Sequence, residues 1–354
     1  MEPTINAQMV TLARESRGYS QKELADKIGI AQGTMSKIEM GILVPDEKLL
    51  DQISRFLKYR KTLFFEKGYI YPPLSVQYRK KTSNIKMSEK KKIEALANFT
   101  TMNIQKLLKS VDFDAAKPIS NISLEDQSLT PKDAARIVRM NWKLPRGPIL
   151  NLTKILEDAG IIIVPLNFET DLIDGFRLNI DSEFNVVFVN KNLPGCRLRF
   201  TLAHELGHLV MHKIPTDLNK IEDEANEFAA EFLMPEDDIS SYLGGRLDLA
   251  RLADLKKYWK TSMQAILYSA KRISRITENQ YKYLMIQMTK LGFRKHEPVD
   301  VPIESPTLLK SILHLHLGEL GLSVEELSTK LNILEAEFGE IYFQKPNLTV
   351  MKNL

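Results

Sequence analysis

Two histidines four positions apart, in His204-Glu205-Leu206-Gly207-His208, constrain this chain more than any other feature. On a helix such residues share a face, so His204 and His208 can present two imidazoles to one ion. Glu205 follows the first of them and can reach a water on that ion without binding the ion itself. A fold that uses the pair must bury this helix and bring a third ligand to it from another element. The chain has six histidines, and His204, His208 and His212 fall within one short segment, a concentration that argues against accident.

The setting is a chain of 354 residues with 44% hydrophobic content, enough for two or three domains with their own cores. Charged residues make up 27% and the net charge is only +4, which excludes a polybasic nucleic-acid binder as a whole. Any affinity for DNA must come from a local surface. One cysteine, Cys196, excludes an intramolecular disulfide and fits a reducing cytoplasm. No apolar run has the length of a membrane span, and the N-terminus lacks a signal peptide's apolar core. A soluble cytoplasmic protein with no membrane partner is expected.

Hydrophobic spacing divides the chain. Residues 1–66 read as short amphipathic helices: Ile5, Met9, Leu12 and Ala13 line one face, Ser20 to Glu23 form a capping box, Gly29 is a turn, and Asp46 caps a fourth helix. Residues 67–129 read as a basic connector, with Tyr78-Arg79-Lys80-Lys81 and Lys90-Lys91-Lys92, followed by a helix from Ile93 to about Val111. In residues 130–245, Thr130-Pro131 opens a helix and Leu152 to Asp158 forms another. Strands are expected at Ile161–Val164, Gly175–Ile180 and Val186–Val189, the motif helix from near Leu198, and a helix from Ile221 to Leu233 stopped by Pro235. Residues 246–354 read as helical, with a capping box at Ser323; His314 and His316 alternate and are taken as structural. The expected class is α+β and mainly helical: an all-α N-terminal domain, a central domain with a small mixed sheet and the His204–His208 helix, and a helical C-terminal region.

Gln21-Lys22-Glu23-Leu24-Ala25, the turn at Gly29, and Gln32-Gly33-Thr34-Met35-Ser36-Lys37-Ile38-Glu39 form a helix-turn-helix pattern. Its second helix can place polar N-terminal residues in a major groove. Gln32 suits an adenine edge, Thr34 and Ser36 suit bases or phosphates, and Lys37 suits phosphate. Gln21 sits at a helix N-terminus, where backbone amides favour phosphate. Met35 and Ile38 are expected in the core. The segment from Ser20 to Gly41 closely resembles the XRE-type helix-turn-helix family. The partner that this implies is a double-stranded operator, bound by a homodimer at half-sites one turn, ~34 Å, apart.

For the metal, His212 lies two turns beyond His204, roughly 12 Å by helical rise, and cannot close on the same ion. It reads as a partly buried helix histidine. The following helix is a better source, because Ala225, Phe228, Ala229, Phe232 and Leu233 mark its buried face and Glu222 shares it. Glu224 and Glu227 point more to solvent, so Glu222 is the expected third ligand, with Glu224 in reserve. Asn226, one turn beyond Glu222, can support the site from behind the ligands.

Arg197 to His208 and Glu222 to Pro235, with Asp174-Gly175-Phe176 and Val189-Asn190, resemble the ImmA/IrrE metallopeptidase family over about residues 140–240. The resemblance implies a gluzincin-type Zn2+ site of His204, His208 and Glu222, with Glu205 as general base. It also implies cytoplasmic peptidases that cut a transcriptional repressor and so release stress, phage or mobile-element genes. Cys196 replaces an expected polar residue and reads as an ordinary half-buried thiol. Strand Asn185–Val189 is expected to pair with the substrate backbone, and Tyr242 is a candidate oxyanion donor. The alternative is a non-proteolytic XRE-family regulator whose zincin-like domain serves as a ligand sensor or dimerisation module.

Overall fold

A computed structural model describes residues 4–73, 85–111, 115–125, 128–178, 184–212 and 218–342. The basic run Tyr78-Arg79-Lys80-Lys81, the last two residues of the expected strand Gly175–Ile180 and the end of the C-terminal region lie outside the described residues. The protein is α+β and mainly helical, with one small mixed sheet.

Four helices open the chain: α1 (Ala7–Ser16), α2 (Gln21–Ile28), α3 (Gln32–Glu39) and α4 (Glu47–Leu57). Ser20 and Glu23 form the capping box of α2. Gly29 closes that helix at φ 74°, a left-handed conformation that a Cβ would strain, and so sets the turn into α3. Met9, Leu24, Met35, Ile38 and Ile53 fill the core of this unit.

Next comes α5 (Met87–Leu108), which starts six residues earlier than the apolar spacing suggested. Its first turns are lysine-rich, and those lysines stay at the surface in ion pairs: Lys91 with Glu15 and Lys92 with Glu169, each at 2.8 Å. Further along, α5 is apolar on two sides. Ala95, Phe99 and Met102 pack on the N-terminal core, while Ile93, Ala97, Ile104 and Leu107 pack on the sheet. A helix buried on both sides shows little amphipathic pattern, which is why the sequence shows it only as a linker helix.

The central region contains α6 (Pro131–Asn141), α7 (Leu152–Asp158), β1 (Ile161–Leu166), β2 (Gly175–Arg177), β3 (Asn185–Asn190), α8 (Gly195–Met211) and α9 (Leu218–Leu233). Strand order is β1-β3-β2, with β1 parallel and β2 antiparallel to β3. Alternate residues face opposite sides. Ile161, Ile163, Val187 and Val189 join the core of α8 and α9, whereas Ile162, Val164, Phe176, Val186 and Phe188 join that of α5. β3 is therefore central, with strands on both sides. This overturns the expectation that Asn185–Val189 pairs with a substrate, because its backbone hydrogen bonds are already spent on β1 and β2.

After a short α10 (Glu236–Ile239) come α11 (Leu249–Trp259), α12 (Met263–Arg272), α13 (Glu278–Lys290), α14 (Leu308–Leu317), α15 (Val324–Lys330) and α16 (Glu335–Tyr342). They divide between two cores. Trp259, Met263, Ile266 and Leu284 extend the core of α8, while Ile312, Leu313, Leu327 and Phe338 cover the other face of the sheet. His316 is fully buried with Nδ1 on the Ile312 carbonyl at 2.9 Å, a packing role as read from the sequence. Among the described residues, no helix is long and apolar enough to cross a membrane.

Candidate metal centre

Helix α8 begins at Gly195, earlier than expected, and at this glycine the chain passes under the backbone of Val301 and Pro302, where a side chain would collide. A fully buried Arg199 pairs with Glu304 and donates to the Ile149 carbonyl at 2.7 Å. These contacts lock the first turns of α8. Gly207 then lets α9 approach: a Cβ there would lie 3.0 Å from Phe228 Cδ1. With the two helices this close, His204, His208 and Glu222 face one another across the seam.

All three are buried, at 5%, 4% and 7% exposure. Their donor atoms lie within 4.8 Å of one another, and the group can hold a metal ion. His204 Nε2 and His208 Nε2 are 3.0 Å apart, and Glu222 oxygens lie 3.3 Å from the first and 3.6 Å from the second. The geometry tests whether a cation belongs here. Asn226 Oδ1 accepts from His204 Nδ1 at 3.0 Å, which turns the Nε2 of that ring toward His208 and Glu222. Burial, then the neighbouring His204 ring and the Arg177 guanidinium, push His208 well below its ordinary pKa, which favours a neutral, ligating ring. Two imidazoles and a carboxylate thus converge in a buried space that suits a divalent cation.

The base candidate is placed by β2, an expected strand whose Arg177 carried no expected role. On β2, Phe176 points into the α5 core, so Gly175 and Arg177 face α8. Gly175 lies where a Cβ would sit 2.8 Å from Thr201 Cγ2, a contact that allows strand and helix to approach. Arg177 Nε then donates to Glu205 Oε2 at 2.9 Å, both side chains being largely buried. The alternation around Phe176 was available as a signal for Arg177, but the helix on that face was not.

Two other expectations change. Tyr242 does not stand at the site: its hydroxyl is 3.1 Å from that of Tyr258 and its ring packs on Trp259. His212, as expected, is outside the ligand group, yet it is no bystander, because its Nδ1 lies 2.9 Å from His208 Nδ1 and its Nε2 3.0 Å from Glu224 Oε2. Glu224, the reserve ligand, is thereby turned to His212 and away from the ion position. Burial raises the Cys196 thiol pKa, which disfavours a reactive thiolate.

In the N-terminal unit, Met35 and Ile38 are buried, while Gln32 and Lys37 are exposed and Thr34 and Ser36 partly so. Gln21 does not offer its amide freely. It donates to Glu39 Oε2 at 2.8 Å and accepts from Gln32 Nε2 at 3.1 Å, and Glu39 in turn pairs with buried Arg14. Two of the expected DNA-reading side chains are thus held in one network.

This is a helix-turn-helix unit joined to a metallopeptidase-like domain. Residues 11–64 match the helix-turn-helix family model, and residues 156–271 match the IrrE N-terminal-like domain of the M78 peptidases. The chain carries both domains. It is also similar to "Uncharacterized immunity region protein 2" of Bacillus phage phi105, 28% identical over 121 residues, covering 28% of this chain and 75% of that protein.

Proposed function

We propose that this protein is an operator-binding transcriptional regulator whose central domain is a zinc-dependent endopeptidase acting on a repressor. The observation that carries the reading is the convergence of His204, His208 and Glu222, with Glu205 on the same helix and its carboxylate held by Arg177. The family match and the immunity-region relative support a role in phage or mobile-element control.

His204, His208 and Glu222 would hold Zn2+, which supplies Lewis-acid polarisation of water and of the scissile carbonyl. Glu205 takes the proton of the attacking water and delivers it to the leaving amine. Asn226 fixes the ring of His204. Arg177 orients Glu205, and its cation takes the oxyanion-stabilising role first sought for Tyr242. An extended substrate backbone would add at an outer strand of the sheet, β1 or β2, rather than along β3; just past β2, Leu178 is bridged to Pro73. Gln32, Thr34, Ser36 and Lys37 face DNA, with a homodimer spanning two half-sites.

The second reading, a non-proteolytic regulator with a metal-stabilised sensor domain, is favoured by one observation: the resting Glu205 carboxylate is already paired with Arg177. Metal analysis combined with co-expression alongside neighbouring repressors separates the two. The enzyme reading expects stoichiometric zinc and a cleaved repressor, with cleavage lost but zinc kept in Glu205→Gln. Undiminished cleavage by that variant overturns the mechanism, and zinc without cleavage of any repressor favours the sensor.

A further inference from the structure

The His208 side of the centre carries a chain of hydrogen bonds that runs away from the ion position to Glu224, whose other oxygen lies 3.7 Å from Lys220 Nζ. His208 Nδ1 is 2.9 Å from His212 Nδ1, and His212 Nε2 is 3.0 Å from Glu224 Oε2. All three side chains are largely buried, with 5%, 7% and 18% of their surface exposed. The residues come from two helices: His208 and His212 end α8, and Glu224 lies on α9, two positions after Glu222.

The direction of these bonds is fixed by what each group can do. A carboxylate only accepts, so the proton between His212 and Glu224 sits on His212 Nε2. A neutral imidazole carries one proton, so His212 Nδ1 is then bare and must accept. Its partner must donate, which puts the proton of His208 on Nδ1. The remaining nitrogen of His208, Nε2, is left as a lone pair facing His204 Nε2 and Glu222, the only tautomer that can bind an ion there.

We infer that His212 and Glu224 are positioning residues that set the tautomer and ring orientation of His208 for metal binding. Their role matches that of Asn226 on His204, which is met by a single amide oxygen at 3.0 Å. The centre is therefore braced from behind on both imidazoles, once through an amide and once through a histidine–carboxylate relay. Without the relay, His208 is free to carry its proton on Nε2, where it points at the ion position and blocks it. The inference rests on the metal reading above and goes beyond it by assigning two residues that bind no ion.

The test uses the full-length protein and zinc alone. In the 15N-labelled apoprotein, long-range proton–nitrogen spectra report which imidazole nitrogen carries each proton. His208 is expected in the Nδ1–H form in the wild type and as a mixture in His212→Phe and Glu224→Ala. Zinc affinity by competition with a chromophoric chelator is expected to fall about 10- to 100-fold in both variants. Glu224→Gln keeps an accepting oxygen and is expected to keep the wild-type tautomer and most of the affinity. Glu224 is partly exposed, so its variants report even where His212→Phe does not fold. An Nε2–H His208 in the wild-type apoprotein overturns the inference, as does undiminished zinc affinity in folded Glu224→Ala. Absence of zinc uptake by the wild type overturns the metal reading and the inference together.

Discussion

Arg177 Nε donates to Glu205 Oε2 at 2.9 Å, which ties the strand at the end of the sheet to the residue between the two histidines. The pair follows from two periodicities meeting. A strand alternation puts Arg177 opposite Phe176, and the helical turn puts Glu205 on the side of α8 that faces β2. Glu205 is only 2% exposed, so a carboxylate in this position needs a hydrogen-bonding partner, and Arg177 supplies it.

From this pair the first prediction follows. Under the proposed peptidase mechanism, Arg177→Ala is expected to lower turnover of a cleaved repressor by about 10² to 10³, the typical loss when an oxyanion-stabilising donor is removed. Zinc content is expected to stay stoichiometric, because Arg177 lies outside the ligand group. Steady-state kinetics together with metal analysis reads both. A rise in turnover would show that the pair is a latch and not part of the machinery.

Metal removal gives the second prediction. A ligand that binds only the folded state stabilises it by about 2.7 kcal/mol at a hundredfold excess over its Kd. The wild type is therefore expected to lose several degrees of Tm on chelation and to regain them with zinc. Glu222→Ala, which leaves two of the three ligands, is expected to melt at the same temperature with and without chelator. A chelator-sensitive Glu222→Ala protein would show that Glu222 is not a ligand.

How far the site was legible in the sequence depends on the range of each interaction. His204, Glu205 and His208 are set by the turn of a single helix, and Glu222 by the apolar face of the next, so both could be read locally. The cap at Ser20, the turn at Gly29 and the helix Leu152–Asp158 were local for the same reason. Arg177 and the His212–Glu224 relay were not, because each depends on which elements become neighbours. The same holds for β3: its apolar pattern marks a strand, but only strand order makes it central. α5 was read short because its lysine-rich start and its two buried faces hide the helical period.

On the DNA side, Glu39 holds Gln21 directly, Gln32 through it, and buried Arg14. The Arg14 and Glu39 side chains are 7% and 4% exposed, so Glu39→Ala leaves a buried cation with only Glu15 at 3.4 Å and the Tyr19 carbonyl. The expected cost is about 1.5–3 kcal/mol in the N-terminal unit, as for a lost hydrogen bond to a charged group. Operator affinity should fall with it, because the reading amides lose their support. Gln32→Ala should instead leave stability unchanged and relax preference at one base position, by about 1–3 kcal/mol. Lys37→Ala should weaken all sequences alike and reduce the salt slope by about 1. Binding titrations at several salt concentrations, with the melting curve of each variant, distinguish these outcomes.

The N-terminal unit is also held from the other end of the chain. Arg17 pairs with Glu337 at 2.8 Å, Arg60 Nε donates to the Ile333 carbonyl at 3.0 Å, and Asn332 Nδ2 donates to Glu66 Oε1 at 2.7 Å. Asn332 is 3% exposed, so Asn332→Ala removes its side-chain hydrogen bonds to Thr62 and Glu66, at about 1–3 kcal/mol. Because α15 and α16 pack on the same sheet face as α5, these contacts fasten the DNA reader to the domain that carries the metal centre. Combining Arg17→Ala, Arg60→Ala and Asn332→Ala should speed amide hydrogen exchange in α1–α4 while leaving α8 protected. Equal protection of α1–α4 in wild type and variant would mean that α5 alone fixes the reader. Faster exchange with unchanged zinc affinity would mean that the C-terminal helices hold the DNA-reading unit in place without shaping the metal site.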